Sequence, residues 1–160
     1  MTGIDAKGYL AGWLQGLTSM YLADIGAIPD EKWTATYGGC TRPASDITAD
    51  AISLLHWTTA AMTTGVPDMS DGDTMELLKA ACSTKAGAST EFSSAVEGFS
   101  TALANASDET LGQIVTPPWQ MDAPLFMIAQ IAVSHVWYHD GQLNYIQCLL
   151  GDDKIHWMGG

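Results

Sequence analysis

The stretch His135-Val136-Trp137-Tyr138-His139-Asp140-Gly141-Gln142-Leu143 decides how this chain is read. It lies in a helical pattern whose inward stripe runs Ile128, Ile131, His135, His139, Gln142, Ile146 and Leu149. Residues three and four apart share a helix face, so two imidazoles and an amide stand where the pattern calls for apolar side chains. Burying a neutral imidazole costs free energy unless its nitrogens find partners. Two imidazoles four residues apart can reach one ion at about 2.0–2.1 Å each. Two ligands seldom suffice, and a third histidine, His56, sits beside an apolar stripe earlier in the chain. The pattern predicts a divalent metal ion on His56, His135 and His139, with coordination positions left open for water or substrate. The competing reading is plainer: an H-x-x-x-H pair also arises by chance, and buried histidines are often satisfied by hydrogen bonds alone.

Working outward, four segments show helical periodicity. The first, roughly 5–23, carries Leu10, Trp13, Leu14, Leu17 and Tyr21 on one face, with Asp5 as N-cap. The second, 46–63, starts at Ser45 or Asp46 and holds Ile47, Ala51, Leu54, Leu55 and His56. A third, 73–104, opens on Asp73-Thr74-Met75-Glu76 at capping-box spacing; Gly87 marks a kink or a close helix contact within it. Pro117-Pro118 falls in a connector with room for one short helical turn. The fourth segment, 122–150, begins with Asp122 as N-cap and stops at Gly151. No stretch alternates with a two-residue period, so no sheet is expected. The whole of 1–160 reads as one all-α domain, a four-helix bundle.

Composition narrows the function. Hydrophobic residues make up 47% and charged residues 15% of 160, a globular balance. Eighteen acidic against six basic residues leave a net charge of −12, which repels phosphate backbones, so neither nucleic acid nor an anionic membrane surface is an expected partner. No apolar run is long enough to span a bilayer. Residues Met1 to Tyr9 include Asp5 and lack a signal peptide's basic-then-apolar order, so export is not expected. Cys40, Cys82 and Cys148 form no C-x-x-C pair and, being odd in number, no closed disulfide set; free thiols in a cytoplasmic setting are expected. Cys148, nine residues after His139, points away from the site and reads as a small core residue.

Other residues near the histidines have paired readings. Gln142, one turn beyond His139, bonds to that ring or to a metal-bound water, or else packs or caps beside Gly141. Asp140 points about 100° from His139 and reads as a solvated carboxylate. Tyr138 reaches the pocket mouth or packs between helices, and His156, in the tail, is not expected to be a ligand. Trp57 and Trp137 flank proposed ligands, as pocket walls or as core.

The segment from His135 to Gly151 resembles the closing helix of the DinB/YfiT-like superfamily, which carries H-x-x-x-H-x-G-Q-L, an aromatic residue and a terminal Leu-Gly. Ala51-Ile52-Ser53-Leu54-Leu55-His56 is similar to the family's second helix with its single histidine. Pro29-Asp30-Glu31 and Thr116-Pro117 match a loop and a connector of the family. The resemblance implies an up-down-down-up bundle with nickel, zinc or iron on three histidines, and commonly a homodimer. Arg42-Pro43-Ala44-Ser45 departs from the family's usual Trp-Ser pair. Because His135 stands where mycothiol-using isomerases carry Glu, the chain looks closer to the all-histidine branch that includes bacillithiol S-transferases. The function implied is a metal-dependent thiol S-transferase, or a related hydrolase, acting on a small-molecule substrate with a low-molecular-weight thiol. The alternative is a non-catalytic metal- or ligand-binding stress-response module. No catalytic base is assignable from sequence.

Overall fold

The structure is a computed structural model that describes residues 5–67 and 73–158. Expectations that touch residues 1–4 and 68–72, such as the reading of the first residues and whatever caps the helix at Asp73, lie outside the described residues. Six helices are described: α1 Ala6–Ala27, α2 Ala44–Thr63, α3 Asp73–Ala81, α4 Lys85–Asn105, α5 Asp108–Gly112 and α6 Leu125–Leu149. The four long ones make the core. α1 packs on α4 and α6, and α2 packs on the same two. No helix among the described residues is long and apolar enough to cross a membrane.

Most periodic apolar residues are buried as the pattern predicts, although Leu149 at the end of the α6 stripe is exposed. Leu10, Leu14, Leu17 and Tyr21 of α1 are buried, as are Phe92, Phe99 and Leu103 of α4. Tyr21 stacks on Phe92 with ring centroids 4.4 Å apart, and its hydroxyl donates to Thr48 Oγ1 on α2 at 3.3 Å. One side chain thus ties three helices. Asp5 caps α1 by accepting from the Gly8 backbone N–H, and Gly151 closes the chain after α6 with φ +86°.

Several boundaries differ from the sequence expectation. The single third helix is two, broken at Cys82–Thr84. Thr84 caps α4 by accepting from Gly87 N–H at 3.1 Å. A Cβ on Gly87 would come within 2.2 Å of the Ala81 carbonyl oxygen, so the close contact read into Gly87 is with the preceding helix's last turn. The buried Trp33 donates its indole N–H to Cys82 O at 2.8 Å, and Lys85 Nζ donates to Ile28 O at 2.7 Å. The α1–α2 connection is therefore stitched to the break. α2 starts at Ala44, with Pro43 rather than Ser45 or Asp46 in the cap position. α6 starts at Leu125: Asp122 instead accepts from the Thr116 hydroxyl at 2.7 Å. Ala123–Pro124 pairs antiparallel with Ile114–Val115, a two-residue ladder where no sheet was expected. Cys148 is exposed rather than part of the core.

Gly87→Ala should destabilise the protein by about 2 kcal/mol, because backbone would have to shift to admit the methyl group. Gly98→Ala should instead be neutral or stabilising by up to about 1 kcal/mol, since its Cβ would meet only Thr59 Cγ2, at 4.0 Å, and glycine is a poor residue inside a helix. Urea melts of the two variants beside the parent test the contrast.

Candidate metal centre

His135 and His139 project from successive turns of α6 toward α2, and their Nε2 atoms lie 3.0 Å apart. The residue that meets them is Asp50, on the second turn of α2. Its Oδ2 is 3.3 Å from His139 Nε2, and one ligand atom from each of Asp50, His135 and His139 falls within 4.8 Å of the others. His139 is fully buried, while Asp50 and His135 are half-buried.

Each ring nitrogen can be followed. His139 Nδ1 donates to Gln142 Oε1 at 2.7 Å, which leaves Nε2 as the nitrogen facing the centre. Desolvation, with His139 next to it, pushes the His135 imidazole down to about 4, so that ring is neutral at ordinary pH. The Nε2 atoms of two imidazoles and a carboxylate oxygen therefore converge, and both nitrogens can offer lone pairs when His135 carries its proton on Nδ1. The spacings suit an ion: ligand atoms about 2.1 Å from one metal stand about 3.0 Å apart at right angles and about 3.4 Å apart at the tetrahedral angle. The pairs at 3.0 and 3.3 Å match those edges. Without a cation between them, a neutral His135 joins His139 by donating an Nε2 proton, and a proton on the His139 nitrogen joins that ring to Asp50. Two histidines and one carboxylate are a donor set that zinc, iron and nickel all accept.

His56 is not in this group. It is exposed on α2, and the charge that acts on it is Glu91 of α4, which pulls its pKa up while burial pushes it down more strongly. Six residues along a helix are about 120° around the axis, so Asp50 and His56 cannot both face α6. His156 pairs with Asp152 in the tail at 2.7 Å and stays away from the centre. Tyr138 is exposed, its ring 5.1 Å from that of His139. Asp50 is easily passed over in the sequence because aspartates are common on helix surfaces. The signal available was its place one turn before the buried Leu54, in a chain with few other charges on that helix.

Arg42, in the segment before α2, donates to Asp50 Oδ2 at 2.6 Å. The His139 ring and this guanidinium hold the Asp50 carboxyl well below the usual carboxylate range, against the opposing effect of burial. A cavity of about 320 Å³ lies beside the centre. Arg42 and Gln142, the partners of Asp50 and His139, are in its wall, with Tyr37, Cys40, Ile47 and Tyr145.

Asp140 also departs from expectation. It is 3% exposed, not solvated, and lies with the fully buried Asp24 of α1 on the other side of α6. Asn144 Nδ2 donates to Asp24 Oδ2 and Gln147 Nε2 to Asp24 O. Burial, then the neighbouring Asp24 charge, pushes Asp140 up to about 7. A carboxyl whose pKa is raised on folding adds stability below its unfolded value near 4, and that stability is lost as pH climbs through about 7. Asp140→Asn should therefore flatten the fall in stability between pH 4 and 8, leaving the variant more stable than the parent at pH 8 by on the order of 2 kcal/mol. Denaturant melts of the metal-free proteins across that range measure it.

No family model matches the sequence, and no curated protein does. Solved structures do. The mycothiol-dependent maleylpyruvate isomerase superposes with TM-score 0.67 at 14% identity, over 86% of this chain and 60% of the isomerase. A mutant of that enzyme gives 0.66 at 16% identity over the same shares. A DinB-like protein from Bacillus subtilis gives 0.64 at 11% identity, over 89% of this chain and 92% of its own. The chain thus spans about three fifths of the isomerase and nearly all of the Bacillus protein. At such identities the likeness is one of backbone architecture, and it agrees with the resemblance carried by the α6 motif: this chain has the all-α fold of the DinB/YfiT-like superfamily.

Proposed function

We propose that this protein holds a divalent metal ion on Asp50, His135 and His139 and uses it to join a low-molecular-weight thiol to a small electrophilic substrate. The observation that carries the reading is the gathering of Asp50, His135 and His139 within 4.8 Å, with His139 at ligand-edge spacing from both of the others and Gln142 fixing its tautomer. A divalent ion there supplies Lewis acidity that favours thiolate over thiol, or hydroxide over water. The thiol dependence in the name of the structurally similar isomerase points the same way.

The chain's own residues have separate tasks in this reading. Asp50 contributes the one negative ligand, which lowers the site's net charge relative to three histidines. Gln142 orients His139, and Arg42 orients Asp50. Arg42 also turns the wall of the 320 Å³ cavity cationic, in a chain with only six Lys and Arg, so an anionic thiol or substrate finds a favourable entry despite the net charge of −12. Tyr37, Ile47 and Tyr145 give the same cavity apolar walls. Cys40, Cys82 and Cys148 are all free, which suits a reducing compartment such as the cytoplasm.

One observation favours a second reading. Arg42 sits on the same Asp50 oxygen that faces His139, so Arg42, Asp50 and a protonated His139 make an ion network that needs no metal. In that case the site is a non-catalytic binding module. Metal analysis separates the two. Stoichiometric zinc, nickel or iron should co-purify with the parent, be lost in Asp50→Ala and His139→Ala, and remain in His56→Ala. Gln142→Ala should keep the ion but bind it about 10–100-fold more weakly. If His56→Ala loses the metal while Asp50→Ala keeps it, the ligand set of Asp50, His135 and His139 is wrong. In cobalt-loaded protein an added thiol should raise a sulfur-to-metal charge-transfer band, and a spectrum unchanged by every thiol tried would remove the transferase reading.

A further inference from the structure

The face of α6 turned away from the metal centre carries a second cavity, of about 620 Å³, between α6 and α1. Its walls are aromatic. Trp13 of α1 meets Trp137 of α6 edge to face, with centroids 5.8 Å apart, and Trp157 of the C-terminal tail lines the same space. Gly12 and Gly16 leave the α1 side bare, since a Cβ on either would meet nothing within 4 Å. Asp140 and Asn144 reach the cavity from α6.

Beneath these walls lies an unbalanced charge. Asp140 and Asp24 are 97% or more buried, and no lysine, arginine or histidine among the described residues pairs with either. The Asp24 carboxylate accepts from the neutral amide of Asn144 at Oδ2, Gln147 reaches only the Asp24 backbone carbonyl, and Asp24 Oδ1 and Asp140 Oδ1 have no donor. Buried carboxylates are ordinarily paired with a cation. Indole faces attract cations as well, and clustered tryptophans around a carboxylate are the chemistry that recognises alkylammonium groups.

We propose that the cavity between α1 and α6 is a binding site for a small organic cation, an alkylated ammonium group seated between Trp13, Trp137 and Trp157 with Asp140 as its counter-charge. A metal ion does not suit the site, because tryptophan offers no lone pair to it. An anion does not suit it either, with the Asp140 carboxylate in its wall. None of Asp50, His135 and His139 lines this cavity, which shares only Gly141 with the cavity beside the metal centre.

Tetramethylammonium chloride titrated into the 160-residue protein is the direct probe, read by the methyl proton shift of the ligand and the indole N–H signals of the protein. The expected result is saturable binding, an upfield methyl shift from the indole faces, and movement of the signals lost in Trp13→Leu, Trp137→Leu and Trp157→Leu. Trp137→Leu, an exposed position that should fold normally, should weaken binding about fivefold or more. Gly16→Leu fills the cavity while improving helix propensity, so it should abolish binding without loss of stability. Several outcomes overturn the assignment: no saturation, equal binding of the neutral isostere tert-butanol, or a Gly16→Leu variant that binds as the parent does. Indole signals that move with protein concentration alone would show a second copy of the chain in the cavity, and would overturn it too.

Discussion

Two imidazoles one turn apart on α6, facing a carboxylate on α2, constrain more of this structure than any other set of contacts. A turn of helix fixes their separation, but bringing Asp50 opposite them requires α2 and α6 to pack in one rotational setting. Both helices are rich in buried alanines, Ala49, Ala51 and Ala61 on α2 and Ala129 and Ala132 on α6, which lets neighbouring helices approach closely. Gln142 and Arg42 then hold the two ends of the set, one through the ring of His139 and the other through the carboxylate of Asp50. Each end of the set is thus positioned by a further residue, one from α6 itself and one from the segment before α2.

α6 divides its polar residues between two faces. His135 and His139 look toward Asp50 of α2, and Gln142 lines the 320 Å³ cavity beside them. Asp140, Asn144 and Gln147, offset by about 100° from the first set, look toward α1 and Asp24. A helix with apolar residues on its remaining sides can carry two polar faces only because α1, α2 and α5 cover its hydrophobic area. The stitching at the far end serves the same purpose. Trp33, Lys85 and the capped start of α4 hold the end of α1, and with it the position of Asp24 against α6.

The resemblance to DinB/YfiT-like proteins was legible in the α6 motif, and it carried the fold correctly. It did not point to the α2 side chain that meets the two histidines. The family pattern asks for a histidine on the second helix, and His56 follows an apolar run that matches. Yet the residue that faces α6 is Asp50, six positions earlier. Matching residue types along a sequence does not register the rotation of about 120° between those two positions.

The sequence by itself determined the helices, since the three- and four-residue spacing of apolar side chains is a local property of the chain. It also determined the pairing of His135 with His139 and of His139 with Gln142, because both lie within about one turn. Tertiary structure alone decided the rest. It set Asp50, and not His56, opposite the α6 histidines, buried Asp140 beside Asp24, exposed Cys148, and broke the third helix at a carbonyl that Trp33 could reach. Each of these depends on which face of a helix another helix covers, and that is set by packing summed over the whole bundle, not by any short stretch of residues.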